Sequence, residues 1–158
     1  MGRFPHKKSR FYQAVTATPG LASAYRPGLK AIQPSDKAKI TCRNPRKLTG
    51  SVCVDAALKQ TMPTEPRWDY AIGYQGDNTE EIVWVEVHPA SSNNHPKEMS
   101  KKLDCLAGWL ADEGKAMNYR PYRMVWVSSG HISFRNNDPE LRRLRDRGLK
   151  FVGSHLAL

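Results

Sequence analysis

The chain has 158 residues, 39% of them hydrophobic, and its 25 Lys and Arg against 15 Asp and Glu leave a net charge of +10. That length suits one domain with a single core, no window approaches the roughly 18 unbroken apolar residues of a membrane span, and Met1 to Lys8 lack the apolar stretch of a secretory signal. A cytoplasmic protein with no membrane partner is therefore expected, and Cys42, Cys53 and Cys105, an odd set without CxxC spacing, read as packing residues rather than a disulfide framework or zinc knuckle.

Charge is unevenly spread. Residues 1–50 hold 11 basic side chains against the single acid Asp36, residues 51–113 hold 5 against 11, and residues 114–158 hold 9 against 3. Basic flanks around an acidic centre suit a polyanion, DNA or RNA, gripped by its backbone while carboxylates meet it locally. An acidic protein partner and a homodimer are the other associations considered. The first 35 residues carry Pro5, Pro19, Pro27 and Pro34 without sustained periodicity, so residues 1–47 read as a basic arm and residues 48–158 as the folded domain, expected to fold without it. Lys7, Lys8, Arg10, Arg43, Arg46 and Lys47 are its candidate phosphate contacts, with Phe4, Phe11, Tyr12 and Tyr25 available to stack on unpaired bases or to pin the arm to its own domain.

Ala38 to Cys42 suggests a short strand, and Ser51 can cap a helix running to about Gln60, with Asp55 in its first turn. Trp68 to Tyr74 alternates as a strand, with Trp68, Tyr70, Ile72 and Tyr74 on one face and Asp69, Ala71 and Gly73 on the other. Gly76 to Thr79 is a turn, and Ile82 to His88 is the returning strand, ended by Pro89. A helix over 96–113 follows, with Pro96 at its start, Glu98 in a capping box, and Met99, Leu103, Leu106, Ala107 and Leu110 as its buried stripe. Tyr122 to Val127 is a strand, Asp138-Pro139-Glu140 opens a basic helix that Gly148 stops, and Leu149 to Val152 is a last strand. This order predicts one mixed α/β sheet flanked by helices.

A four-residue hairpin loop at Gly76–Thr79 pairs Gln75 with Glu80 and sets Asp69 opposite Glu86. Like charges opposed across strands are destabilising unless a cation or proton intervenes. His88 shares the face of Glu86 by the strand period of two. Each residue also has a plain structural explanation: Asp55 as a helix-start carboxylate, Asp69 bonded to Arg67 or a backbone amide, Glu86 paired with a lysine of the long helix, and His88 ending a strand. Zinc held by His88, His95 and Cys105 is poorly spaced, and no Walker, dinucleotide-binding or nucleophile-elbow motif is present.

The element order over 51–128, with Arg67-Trp68-Asp69 on one strand and Glu86-Val87-His88 on the next, resembles the restriction-endonuclease-like PD-(D/E)XK nucleases. The resemblance implies an αββαβ core and a nuclease hydrolysing phosphodiester bonds of DNA or RNA. It implies Mg²⁺ or Mn²⁺ held by Asp69, Glu86 and the carbonyl of Val87, with Asp55 a secondary candidate. Trp68 stands where the family often has Pro, and His88 stands where its catalytic Lys is expected. Either His88 acts in that role, or Lys101 or Lys102 reaches back from the following helix. A nucleic-acid-binding protein that keeps the fold without the chemistry, and a basic protein-interaction module, are the alternatives.

Overall fold

The computed structural model describes residues 9–133 and 138–158; Phe4, Lys7 and Lys8 of the expected arm lie outside them. Among the described residues seven strands form, β1 (Ile40–Thr41), β2 (Leu48–Cys53), β3 (Tyr70–Gln75), β4 (Glu80–Ala90), β5 (Tyr122–Ile132), β6 (Leu149–Phe151) and β7 (Leu156–Ala157). The central sheet is mixed, in the order β2-β3-β4-β5-β6, antiparallel from β2 to β4 and parallel from β4 to β6. β1 and β7 pair separately as a short parallel ribbon. The expected α/β class with a mixed sheet is what the structure shows. No helix among the described residues is long and apolar enough to cross a membrane.

Strand alternation splits the core in two. Ala71, Ile82, Trp84 and Trp126 face the helices α1 (Arg10–Thr16), α3 (Val54–Leu58), α4 (His95–Ala111) and α5 (Pro139–Asp146). Tyr70, Ile72, Val83, Val85, Val125 and Val127 face the opposite way, where Ile32, Ile40, Leu48 and Leu156 cover them. Trp68 corrects the expected facing: lying just ahead of β3, it packs with the helix-side core rather than beside Tyr70. Along α4 the buried positions are Pro96, Met99, Leu103, Leu106 and Trp109, whereas Ala107, expected in the stripe, is exposed.

The arm reading is corrected for residues 9–47. Phe11, Val15 and Leu21 are fully buried in the helix-side core and Ile32 and Ile40 in the other. A seven-residue helix with no acid in its own first turn needs outside help at its N-terminus. Ser9 caps Tyr12 N–H, and the Glu80 carboxylate accepts from Arg10 N–H (2.8 Å), Phe11 N–H (3.1 Å) and the Thr49 hydroxyl (2.7 Å). On the far side of the sheet, α2 (Pro34–Lys37) is tied by the Tyr70 hydroxyl, which donates to Asp36 at 2.5 Å. These anchors are distant in sequence, which is why periodicity within the segment did not reveal them.

Ser51 is likewise not a helix cap but a buried residue of β2, its hydroxyl accepting from Ala31 N–H; pairing with β3 along 48–53 overrides the local cap signal. Where β3 passes under α1, Gly73 leaves no room. A Cβ there would lie 2.2 Å from Thr49 Oγ1 and 2.5 Å from Phe11 Cγ, both buried. Gly73→Ala is therefore expected to lower stability by about 2–3 kcal/mol, the range of an overpacked core. A denaturation midpoint equal to wild type would show that α1 yields freely.

Candidate functional site

The β3–β4 register is the expected one, with Gln75 opposite Glu80 and Tyr70 opposite Val85, so Asp69 and Glu86 meet at the end of the hairpin remote from its turn. They interlock through the backbone. Asp69 N–H donates to Glu86 Oε1 at 3.0 Å, and Val87 N–H donates to Asp69 Oδ2 at 3.0 Å. Asp69 Oδ1 accepts no hydrogen bond from the described residues. Glu86 is 1% exposed, a buried carboxylate that needs a charge partner.

Lys102 is that partner. From α4 its Nζ lies 2.6 Å from Glu86 Oε2 and also donates to the Arg67 carbonyl at 3.1 Å. Lys101, the other lysine considered, is exposed on the helix surface and stays outside the cluster. His88 lies with its Nδ1 3.7 Å from Glu86 Oε2 and its Nε2 2.7 Å from Glu98 Oε2. Its carbonyl accepts from Trp126 Nε1 at 2.9 Å, and its ring meets that of His95 edge-on. Asp55 pairs with Arg67 at 2.9 Å and sits at the start of α3, one residue-pair removed from the carboxylates.

Glu98 is the functional candidate that the sequence did not single out. Expected in a capping box, it bonds His88 instead. The available signal was its spacing: Glu98, Lys102 and Cys105, at i, i+4 and i+7, share one flank of α4. Cys53 and Cys105 are half-buried and free, and burial pushes both thiols up, so they remain packing residues rather than nucleophiles.

The electrostatics follow from this packing. Burial first, and then the charge of Glu86, push the Asp69 carboxyl up to about 7, against the pull of Lys102 and of Val87 N–H. Burial acts to lower Lys102 and His88, but their carboxylate partners outweigh it and both are raised. The folded protein thus holds a proton on Asp69 far more tightly than the unfolded chain, whose Asp titrates near 3.9. Stability from that proton is complete below about pH 4 and is lost as pH rises toward 7, by up to about 4 kcal/mol. Denaturation midpoints in a chelating buffer should fall over that window, and Asp69→Asn should flatten the fall. A wild-type profile that rises there would show Asp69 to be ionised throughout.

The expected phosphate contacts do not gather at this site. Arg10 lies 4.1 Å over the Tyr119 ring and donates to the Arg120 carbonyl, and Lys47 pairs with Asp77 in the hairpin turn. That turn is the far end of a six-residue strand pair from Asp69, about 20 Å at strand rise. Arg43 and Arg46 are exposed in the loop between β1 and β2. Among the described residues, no three His, Cys, Asp or Glu side chains form a ready metal cage. The chain matches no family model, no curated protein and no solved structure.

Proposed function

We propose that the protein is a divalent-metal-dependent nuclease of the restriction-endonuclease-like kind, acting on DNA or RNA, with Lys102 in place of the lysine that the strand motif lacks. The observation that carries this reading is the convergence of Asp69, Glu86 and Lys102 on one face: two interlocked carboxylates with an ammonium 2.6 Å from one of them. The α3-β3-β4-α4-β5 order, with β4 parallel to β5, supports it.

The donor set fits a hard cation. Mg²⁺ commonly takes one or two carboxylates and completes its shell with water and phosphate oxygens. Asp69 Oδ1 accepts no hydrogen bond from the described residues, and burial first, then the neighbouring Glu86 charge, lift the Asp69 carboxyl, so a cation there would offset both costs. Asp69 and Glu86 would hold the ion, with the Val87 carbonyl as the further ligand that the family resemblance implies. When bound, the ion supplies Lewis-acid activation of water and offsets charge on the phosphate. Lys102, tethered by the Arg67 carbonyl, holds a positive charge where an attacking water or a phosphoryl oxygen must sit. Glu98 accepts from His88 Nε2 and so turns Nδ1 toward Glu86, orienting the imidazole for proton transfer. The Arg67–Asp55 pair steadies the segment leading into Asp69.

One observation favours the non-catalytic alternative: Lys102 and two backbone amides already satisfy most of the carboxylate oxygens. Cleavage of single- and double-stranded DNA and RNA with Mg²⁺ or Mn²⁺ separates the two. The nuclease reading expects metal-dependent cleavage that Lys102→Met lowers by about 10²-fold or more, as loss of one preorganised charge does. Polynucleotide binding without cleavage, and without metal uptake by calorimetry, would leave only the binding reading.

A further inference from the structure

One partly open pocket of the molecule shares no residue with the carboxylate site. A cavity of about 240 Å³ opens between α4 and the start of β5. Its size exceeds the roughly 150 Å³ at which an apolar protein cavity takes up benzene. Native interiors are otherwise packed to the density of organic crystals.

Its lining has a definite chemistry. Trp84 and Tyr122 present aromatic rings, Met117 and Met124 present polarisable thioethers, and Leu103 and Leu110 close it from α4. Such walls favour a flat unsaturated ring over a flexible alkyl chain. Tyr119 also lines the cavity. It is 7% exposed, and its hydroxyl has no hydrogen-bond partner among the described residues, which in a buried polar group is uncommon. At the rim stands Arg147, whose guanidinium holds Asp104 at 2.7 Å and Ser100 at 3.1 Å. That ion pair is solvent-exposed, so it leaves the cation available at little cost.

We infer that this cavity is a binding site for a small planar aromatic molecule bearing one anionic group, its ring between Trp84, Tyr122 and the two methionines and its anion at Arg147. A ring N–H, such as that of indole, can donate to the Tyr119 hydroxyl oxygen. The inference is independent of the nuclease reading, because neither the ring walls nor Arg147 touches Asp69, Glu86 or Lys102.

Indole-3-acetate, indole and tryptamine test it, as one ring system with an anionic, a neutral and a cationic tail. The readouts are calorimetry on the full chain and the methyl resonances of Met117 and Met124, neither of which depends on cleavage. Indole-3-acetate should bind at least tenfold more tightly than tryptamine and move both methionine methyl signals. Arg147→Gln should reduce its affinity to that of indole, and Ala107→Phe, at an exposed position on the cavity wall, should block all three. Arg147 is itself at the surface, so that variant remains readable if Ala107→Phe fails to fold. Methionine signals unmoved at millimolar indole-3-acetate, equal affinity for the three probes, or undiminished binding by a folded Ala107→Phe protein would each overturn the assignment.

Discussion

Deleting residues 1–47 should leave a chain that no longer unfolds cooperatively. The segment carries Phe11, Val15 and Leu21 into one core and Ile32 and Ile40 into the other, all at most 5% exposed. Losing a large buried side chain costs about 2–5 kcal/mol. Five such losses, about 10–25 kcal/mol together, are as large as or larger than the roughly 5–15 kcal/mol that holds a domain folded. The edge strand β2 would also lose the Arg26–Ser51 bridge and the Tyr25 hydroxyl bonded to the Thr49 carbonyl at 2.6 Å. Circular dichroism and a denaturant titration of the deleted protein check this, and a sharp transition near the wild-type midpoint would return the segment to the status of an arm. Removing residues 1–8 alone is the appropriate probe of polyanion contact there. It takes away Arg3, Lys7 and Lys8, and if all three meet phosphates, the slope of log affinity against log salt should become shallower by about 2–3.

Glu86→Gln should abolish metal-dependent cleavage, by about 10³-fold or more, while the protein stays folded and keeps its polynucleotide affinity. The amide retains an oxygen for Asp69 N–H and a similar volume, but it removes the charge that Lys102 faces at 2.6 Å and that a cation would share. The same change removes the second-largest cause of the raised Asp69 carboxyl and leaves the burial that is the first, so that group should titrate lower in the variant than in wild type, as NMR of its side chain can read. The two readouts separate site from function. A lowered Asp69 titration without any cleavage in wild type would confirm the electrostatic coupling and reject the nuclease; cleavage that persists in Glu86→Gln would place the chemistry elsewhere. His88→Lys adds a further contrast, since lysine cannot keep both the Glu98 hydrogen bond at 2.7 Å and an imidazole nitrogen toward Glu86.

Several features were legible in the amino-acid sequence because their causes lie within a few residues. The Gly76–Thr79 turn and the alternation on either side of it determine the β3–β4 register, and with it the meeting of Asp69 and Glu86. Asp138 and Pro139 open α5, where Asp138 caps Glu140 and Leu141 N–H, and Gly148 ends it with φ +94. Helical periodicity gives Met99, Leu103 and Leu106 as the buried side of α4. Other features required partners remote in the chain. Helix α1 depends on Glu80, 70 positions away; β2 forms because β3 accepts it as an edge; and the β1–β7 ribbon joins segments more than 110 residues apart. At the site, periodicity could offer Lys101 and Lys102 alike, and Glu98 as a local cap. Only the rotation of α4 against the sheet turned Lys102 toward Glu86 and Glu98 toward His88, because that rotation is set by how the apolar stripe, with Trp109 against Trp84, seats on the sheet rather than by any neighbour in sequence.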